Sequence, residues 1–376
     1  MKTILRKIFV ILVLMVALTA GGSRAAQEDS LDERVEDAQK AEAVAPAKGN
    51  WVPVPIPVSN PTVGTGLQAV LLYLHPKQAG EENSPNKTSG LIGMYTNTDS
   101  LFVGMFHDNN WYKDRLRLTG FIGFGDLNLQ YYGIGDNPYL SDNPIAYEFK
   151  MLIFTPKIQM RIPATEHWFG GFQYLYIDSD SLFKTSRLNP MLPDLPVEIR
   201  SAGMGLLTTF DSRDDNYYPT RGQWFEAKWT NYGKSWGGDY QYNKFRTFLN
   251  HYHPLADQVV LALRAKADLS SGDTPFFDLP YLDMRGFAQG RYKDNHTFSV
   301  HTEGRYKFLP RWGVIAFVEA GWFGDDFEEL ISSETIVSVG GGFRWQVTQN
   351  KKMHLGVDVA FSTDDQAIYV QVGEKF

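Results

Sequence analysis

Three groups of residues have types and spacings that could do chemistry. Gly233-Lys-Ser235-Trp-Gly237 has the G-x-S-x-G spacing of a serine nucleophile. That device works when the serine sits on a strained strand-to-helix turn. Here it falls in a glycine-rich stretch between two segments of strand-like alternation, and it is read as a loop. His301 and His354 complete no triad with it. Asp211, Asp214 and Asp215 could bind a hard cation adventitiously. The third group is a scatter of charges on alternate positions: Glu226, Arg264, Lys266, Glu303, Arg305, Glu319, Arg344 and Asp358. Its chemistry is mutual pairing along one wall, with mixed signs. No cysteine is present, so thiol catalysis, thiolate metal sites and disulfides are excluded. No metal centre and no cofactor is expected, nor an enzyme.

The elements that must position these charges are strands. In Val259–Asp268, Leu261, Leu263, Ala265 and Ala267 share one face, while Arg264, Lys266 and Asp268 share the other. Period two is a strand signature. Strands with lipid outside and a hydrated lumen inside require this pattern. His301, Glu303 and Arg305 repeat it, as do His354, Gly356 and Asp358. In the segment from Val314 to Ala320, the alternation puts Val314, Ala316, Val318 and Ala320 toward lipid and Glu319 inward. The fold class read from this is an all-β, transmembrane, antiparallel β-barrel of sixteen strands, with fourteen as the fallback. A secreted β-sandwich or β-helix is the alternative that also carries period two. Strands that run to the last residue, inward charges on successive strands and Trp/Tyr at strand ends favour the barrel.

The candidate strands begin at about residue 63. The Pro-rich lead-in Trp51-Val-Pro-Val-Pro-Ile-Pro57 is placed outside the sheet, because proline cannot serve a central ladder. Residues 114–133 divide into two strands, or form one long one. In the last strand, Ile368, Val370, Val372 and Phe376 are assigned to the outer face and read as a C-terminal assembly signal. Glu374 interrupts that face at the periplasmic edge.

The N-terminus supplies the address. Lys2, Arg6 and Lys7 precede an apolar core from Ile8 to about Ala20, and Ser23-Arg24-Ala25 offers a cleavage site. This is a signal-peptide layout. The organisation expected is a signal peptide at 1–25, a polar periplasmic tail at 26–50 and a barrel at 51–376. The destination is the outer membrane of a Gram-negative bacterium. The net charge of −7 gives no footprint for nucleic acid.

Five motifs in order over 197–376 carry a resemblance. They are Asp211-Ser-Arg213-Asp214-Asp-Asn-Tyr-Tyr-Pro219-Thr-Arg-Gly222, Met284-Arg285-Gly286-Phe287, His301-Thr-Glu303-Gly-Arg-Tyr306, Phe317-Val-Glu319-Ala-Gly321 and Gly340-Gly-Gly-Phe-Arg344. In this order the chain resembles the Omp85 superfamily of outer-membrane proteins, and within it the BamA/TamA-type bacterial surface-antigen barrel domain. The match extends plausibly back to about residue 51. The resemblance implies that the loop carrying Arg285, Gly286 and Phe287 folds back into the lumen. It also implies that Arg285 pairs with an acidic wall residue, Glu319 first and Glu303 second. The stretch from Asp211 to Gly222 would be the family's turn between two central strands. The family's assembly and secretion members carry periplasmic POTRA domains before the barrel. None is read in the 25 polar residues here.

The function expected is a structural barrel or a narrow, loop-occluded pore. The alternative is insertion or translocation of polypeptides or lipids at the outer membrane, and a hydrolase is a distant third. The partners expected are outer-membrane lipids and lipopolysaccharide, with the barrel-assembly machinery during biogenesis. No client or solute is named by the sequence.

Overall fold

The computed structural model describes residues 49–76, 87–215, 218–346, 354–363 and 366–376. The expected signal peptide and all but the last two residues of the expected polar tail lie outside the described residues. Sixteen antiparallel strands close into one barrel in strict sequence order. They are β1 (Asn50–Asn60), β2 (Gly64–Leu74), β3 (Thr88–Thr96), β4 (Leu101–Trp111), β5 (Leu116–Tyr131), β6 (Ile145–Arg161), β7 (Trp168–Phe183) and β8 (Leu195–Asp211). The chain continues through β9 (Gly222–Tyr232), β10 (Tyr242–Ala256), β11 (Val259–Gly272), β12 (His296–Leu309), β13 (Trp312–Gly324), β14 (Ile336–Gln346), β15 (His354–Ser362) and β16 (Gln366–Val372). Among the described residues no helix is long and apolar enough to cross a membrane.

Strand parity follows the alternation read from the sequence. Along β11, Val260, Ala262, Arg264 and Asp268 are buried, and the register against β12 runs unbroken from Val259↔Tyr306 to Leu269↔His296. On β13, Ile315, Phe317 and Glu319 point inward while Val318 is exposed outside. Connections of two residues join β10 to β11 and β12 to β13 at the end where β1 begins and β16 ends. The opposite end carries the loop of residues 273–295, which positions the site.

Two expectations about the strands are corrected. The proline-rich lead-in is itself a strand, β1, paired with β2 from Asn50↔Leu74 to Asn60↔Gly64. Its prolines are tolerated because β1 is one edge of the seam that closes the barrel. Residues 114–133 hold one strand, β5, rather than two. The missed strand and the split one offset each other in the total of sixteen.

The interior has two halves of different chemistry. From β1 to β7 the inner wall carries one apolar cluster, with Ile56, Val70, Leu72, Ile92, Phe102, Phe106, Phe121, Phe149 and Ile153 buried and Phe276 and Phe277 of the long loop packed on it, beside buried polar residues that include Gln68, Asn110, Thr155, Gln159 and Gln173. From β10 to β16 it is charged, with Lys244, Arg264, Asp268, Glu303, Arg305, Glu319, Arg344 and Asp358 buried. Buried ions demand partners, and the long loop supplies several of them.

Candidate functional site

The loop of residues 273–295 is largely buried from Pro275 to Ala288 and tied to the barrel at several points. Near its start, Asp278 meets Lys244 Nζ at 2.6 Å and accepts a hydrogen bond from the Tyr242 hydroxyl at 2.7 Å. Asp283 takes Lys375 Nζ at 2.8 Å and Lys266 Nζ at 3.4 Å. Past the tip, the Gln289 N–H donates to Thr62 Oγ1 at 2.7 Å, at the turn between β1 and β2. Polar tethers therefore reach β10, β11, the C-terminal residues and the first hairpin.

Arg285 occupies the middle of this path and is only 2% exposed. Its Nε donates to Glu319 Oε1 at 2.8 Å. Its Nη1 donates to Glu303 Oε2 at 2.8 Å and to Asp358 Oδ2 at 3.1 Å. Its backbone N–H donates to Glu319 Oε2 at 2.6 Å. The guanidinium carbon lies 3.4 Å from the centre of the Phe317 ring. A planar cation can meet carboxylates at its edge and a π face at once, which a lysine cannot. Strand parity explains the convergence. Phe317 and Glu319 are two apart on β13, and Glu303 and Asp358 point inward from β12 and β15.

The residues flanking Arg285 lock the tip. The Gly286 N–H donates to the Tyr369 hydroxyl at 2.8 Å, and its carbonyl accepts from Ser362 Oγ at 3.2 Å. Gly286 has φ +96, and a Cβ there would lie 3.1 Å from Ser338 Oγ. Glycine suits both demands. Phe287 is buried with Leu282, Met284 and Phe323, and its ring lies 5.1 Å from that of Tyr292.

The carboxylates that hold Arg285 are shared with two other buried arginines. Glu303 also accepts from Arg305 Nε at 2.8 Å. Asp358 also accepts from both terminal nitrogens of Arg344, and Arg344 Nε donates to Glu374 Oε2 at 2.7 Å. Glu374 also lies 3.0 Å from His354 Nδ1, and His301 Nδ1 lies 3.3 Å from Glu319 Oε1. The arrangement is a packed ionic plug, with geometry suited to holding a loop in place.

The C-terminal residues correct another expectation. Ile368 faces outward and is exposed, but Phe376 is buried in the lumen with Tyr252 and Ala262, and its carbonyl accepts from Arg305. Glu374 is likewise inside, on Arg344, rather than at an outer rim. β16 ends at Val372, and Gly373, at φ +93, turns the chain inward. Outer-face parity cannot be continued through that turn. Val370 is half-buried, and the side chain of Val372 lies outside the described residues.

The turn between β8 and β9 is built by its own side chains. Asp211 receives Arg213 Nε at 2.8 Å, and Asp214 Oδ1 accepts the Thr220 N–H at 2.8 Å and the Arg221 N–H at 3.2 Å. Arg213 stacks on Trp224 at 3.6 Å. Pro219 is buried, and Gly222 opens β9. Tyr218 reaches from this turn to the His354 ring, 4.7 Å away, and so sits under the plug. Gly233–Gly237 lies between β9 and β10 with a 3-10 turn at Lys234–Trp236, while His301 and His354 sit in the lumen.

Asp358 as a direct partner of Arg285, Phe317 beneath the guanidinium, and Glu374 to Phe376 as lumen residues were not foreseen. Parity alone places Phe317 beside Glu319. Nothing in the sequence signals the return of the C-terminal residues.

A family model, the Omp85 superfamily domain, matches residues 86–376. The chain belongs to the Omp85 superfamily. Solved Omp85-like barrels share the fold. BamA from Haemophilus ducreyi lacking POTRA domains 1–3 superposes with a TM-score of 0.60 at 16% identity, over 87% of this chain and 70% of that one. CdiB from Escherichia coli gives 0.61 at 12% identity, over 88% and 63%, and CdiB from Acinetobacter baumannii gives 0.58 at 11%, over 87% and 60%. The chain thus spans somewhat under two thirds of the length of the two CdiB chains. No curated protein matches it. The chain is an outer-membrane β-barrel protein of this superfamily, and its plug is the feature from which a function has to be argued.

Proposed function

We propose that this protein is a structural barrel or a narrow, loop-occluded pore of the Gram-negative outer membrane, of the bacterial surface-antigen type and without enzymatic activity. The observation that carries the reading is the burial of Arg285 among Glu319, Glu303 and Asp358. A loop pinned across the lumen by charge-assisted bonds restricts passage. The apolar cluster on the inner wall of β1–β7 works the same way, since water and ions gain nothing along it. Its partners in this reading are outer-membrane lipids and lipopolysaccharide, with the barrel-assembly machinery acting during biogenesis.

A second reading, handling of lipids or polypeptides, draws on the seam. Among the described residues β1 and β16 share one registered pair, Ser59↔Val370. A seam so lightly paired could part more readily than any other strand junction in the barrel.

Planar-bilayer recording separates the first reading from an open channel. The wild-type barrel should show small, infrequent openings, and Arg285→Ala should raise conductance and noise. Large, stable conductance in the wild type, unchanged by Arg285→Ala, would overturn the occluded-pore reading.

A further inference from the structure

The seam has an unusual edge. In an antiparallel ladder, alternate residues turn both N–H and C=O toward the same neighbour. β1 pairs with β2 without interruption from Asn50 to Asn60. Proline has no N–H. The β1 donors to β2 must therefore come from Val52, Val54, Ile56 and Val58. Pro53, Pro55 and Pro57 consequently turn toward β16, with carbonyls and no donors. The ladder to β16 begins at Ser59, the next residue on that edge that owns an N–H. Ser59 Oγ adds a bond to the Ile368 carbonyl at 3.3 Å.

Toward the end where β1 begins, β16 gives out. By the register of Ser59↔Val370, Val372 stands opposite Pro57. Beyond it Gly373 turns, and Glu374 and Phe376 enter the lumen on Arg344 and Arg305. From Pro57 down to Trp51 the β1 edge thus presents carbonyls, lacks three successive donors and, among the described residues, has no registered pair against it. Its outward side chains are Trp51, Pro53, Pro55 and Pro57, all exposed.

We propose that this donor-stripped edge is a lipid-binding surface that refuses β-strand partners, and that phospholipid occupies the lower seam. A strand added here would find acceptors for its own N–H groups, but three of its carbonyls would face proline nitrogens and lie unsatisfied in an apolar setting. Acyl chains make no such demand. They pack on the prolines and on the outer residues paired with them on β2, Leu67 and Leu71, which are exposed. The carbonyls lie toward the barrel end where β1 begins and β16 ends. There an ammonium-bearing headgroup and interfacial water can donate to them. The inference rests on the membrane-barrel reading above but not on the plug, so conductance plays no part in its test.

The full chain is reconstituted in vesicles of phosphatidylethanolamine and phosphatidylglycerol. Two probes are used separately: a phosphatidylethanolamine with a photoreactive acyl chain, and a photoreactive synthetic peptide copying residues 354–362. Adducts are mapped by mass spectrometry. In the wild type, lipid adducts should appear on Trp51–Pro57, and peptide adducts there should not exceed those on the fully paired strand β8. The Pro53→Val/Pro55→Val/Pro57→Val variant regains three donors, and its peptide adducts at that edge should rise at least tenfold. Wild-type peptide labelling equal to that of the triple variant would overturn the proposal. So would lipid labelling of Trp51–Pro57 no higher than that of the buried inner wall. If the triple variant loses its heat-modifiable barrel form, Pro55→Val takes its place, and the wild-type ratio of lipid to peptide adducts still decides.

Discussion

Glu319 holds Arg285 twice. One carboxylate oxygen accepts the arginine's backbone N–H at 2.6 Å and the other accepts its Nε at 2.8 Å. A single wall residue therefore fixes both the path of the loop and the direction of its guanidinium. Glu303 and Asp358 then complete the charge balance from neighbouring strands.

Arg285→Ala should leave Glu319 with the backbone N–H of residue 285 and the His301 ring as its near neighbours, while Glu303 keeps Arg305 and Asp358 keeps Arg344. Removing one member of a buried ionic group costs about 3–5 kcal/mol, because the other members stay desolvated. The strand ladders are untouched, so the barrel should still form and remain heat-modifiable. The loss should appear in the loop, as faster proteolysis between residues 280 and 292.

Glu319→Gln should act in the same direction but more weakly, since an amide oxygen still accepts one of the two bonds. Combined with Arg285→Ala, it should add less than its separate effect. The coupling expected for groups in direct contact is about 0.5–3 kcal/mol. A double-mutant cycle on unfolding midpoints measures it, and strict additivity would deny the contact.

Gly286→Ala should destabilise the tip without removing a polar group. At φ +96 a side chain is strained, and its Cβ would lie 3.1 Å from Ser338 Oγ and 3.3 Å from Ser362 Cβ. The expected cost is about 1–3 kcal/mol. Limited proteolysis of the intact barrel should show the loop opening, with the strand fragments still protected.

How much of this was readable from the sequence varies along the chain, for a physical reason. From β11 to β15 the inner face is charged and the outer face apolar, so the period of two is clear, and Glu303, Glu319 and Asp358 could be turned inward from alternation alone. Around the apolar cluster on β1 to β7 both faces are apolar. Leu71 faces out and Leu72 faces in, so hydropathy does not separate them. The rule that excludes proline from a central ladder was sound, but it was applied where an edge strand was needed. Phe376 was assigned by parity carried through Gly373, which the turn at φ +93 invalidates. Asp358 lies 73 residues from Arg285, and only the closed barrel brings it to the loop.

Lys293, in the same loop, should make the plug pH-sensitive. It is buried, with Nζ 4.8 Å from the Tyr131 ring centre and 3.4 Å from the Phe276 carbonyl. Burial pushes its pKa down to about 8 from the ordinary 10.5. Below about 8 both the packed and the unfolded loop carry the proton. Between about 8 and 10.5 the unfolded loop holds more protons, so the packed loop gains stability as pH rises through that window. A fluorophore on Gln289→Cys should report a higher urea midpoint for loop release at pH 10 than at pH 7.5. Lys293→Met should flatten that difference.

The central claim is that Arg285 lies in the lumen against Glu319, and a cysteine pair tests it most directly. The chain has no cysteine, so Arg285→Cys/Glu319→Cys introduces its only thiols. The tethers at Asp278, Asp283, Gly286 and Gln289 remain to hold the loop in place. In intact cells a short, membrane-permeant bifunctional thiol reagent should join positions 285 and 319, and an impermeant maleimide added outside should label neither. Rapid external labelling of position 285, with no link formed to 319, would place the loop in the outer solvent and contradict the plug.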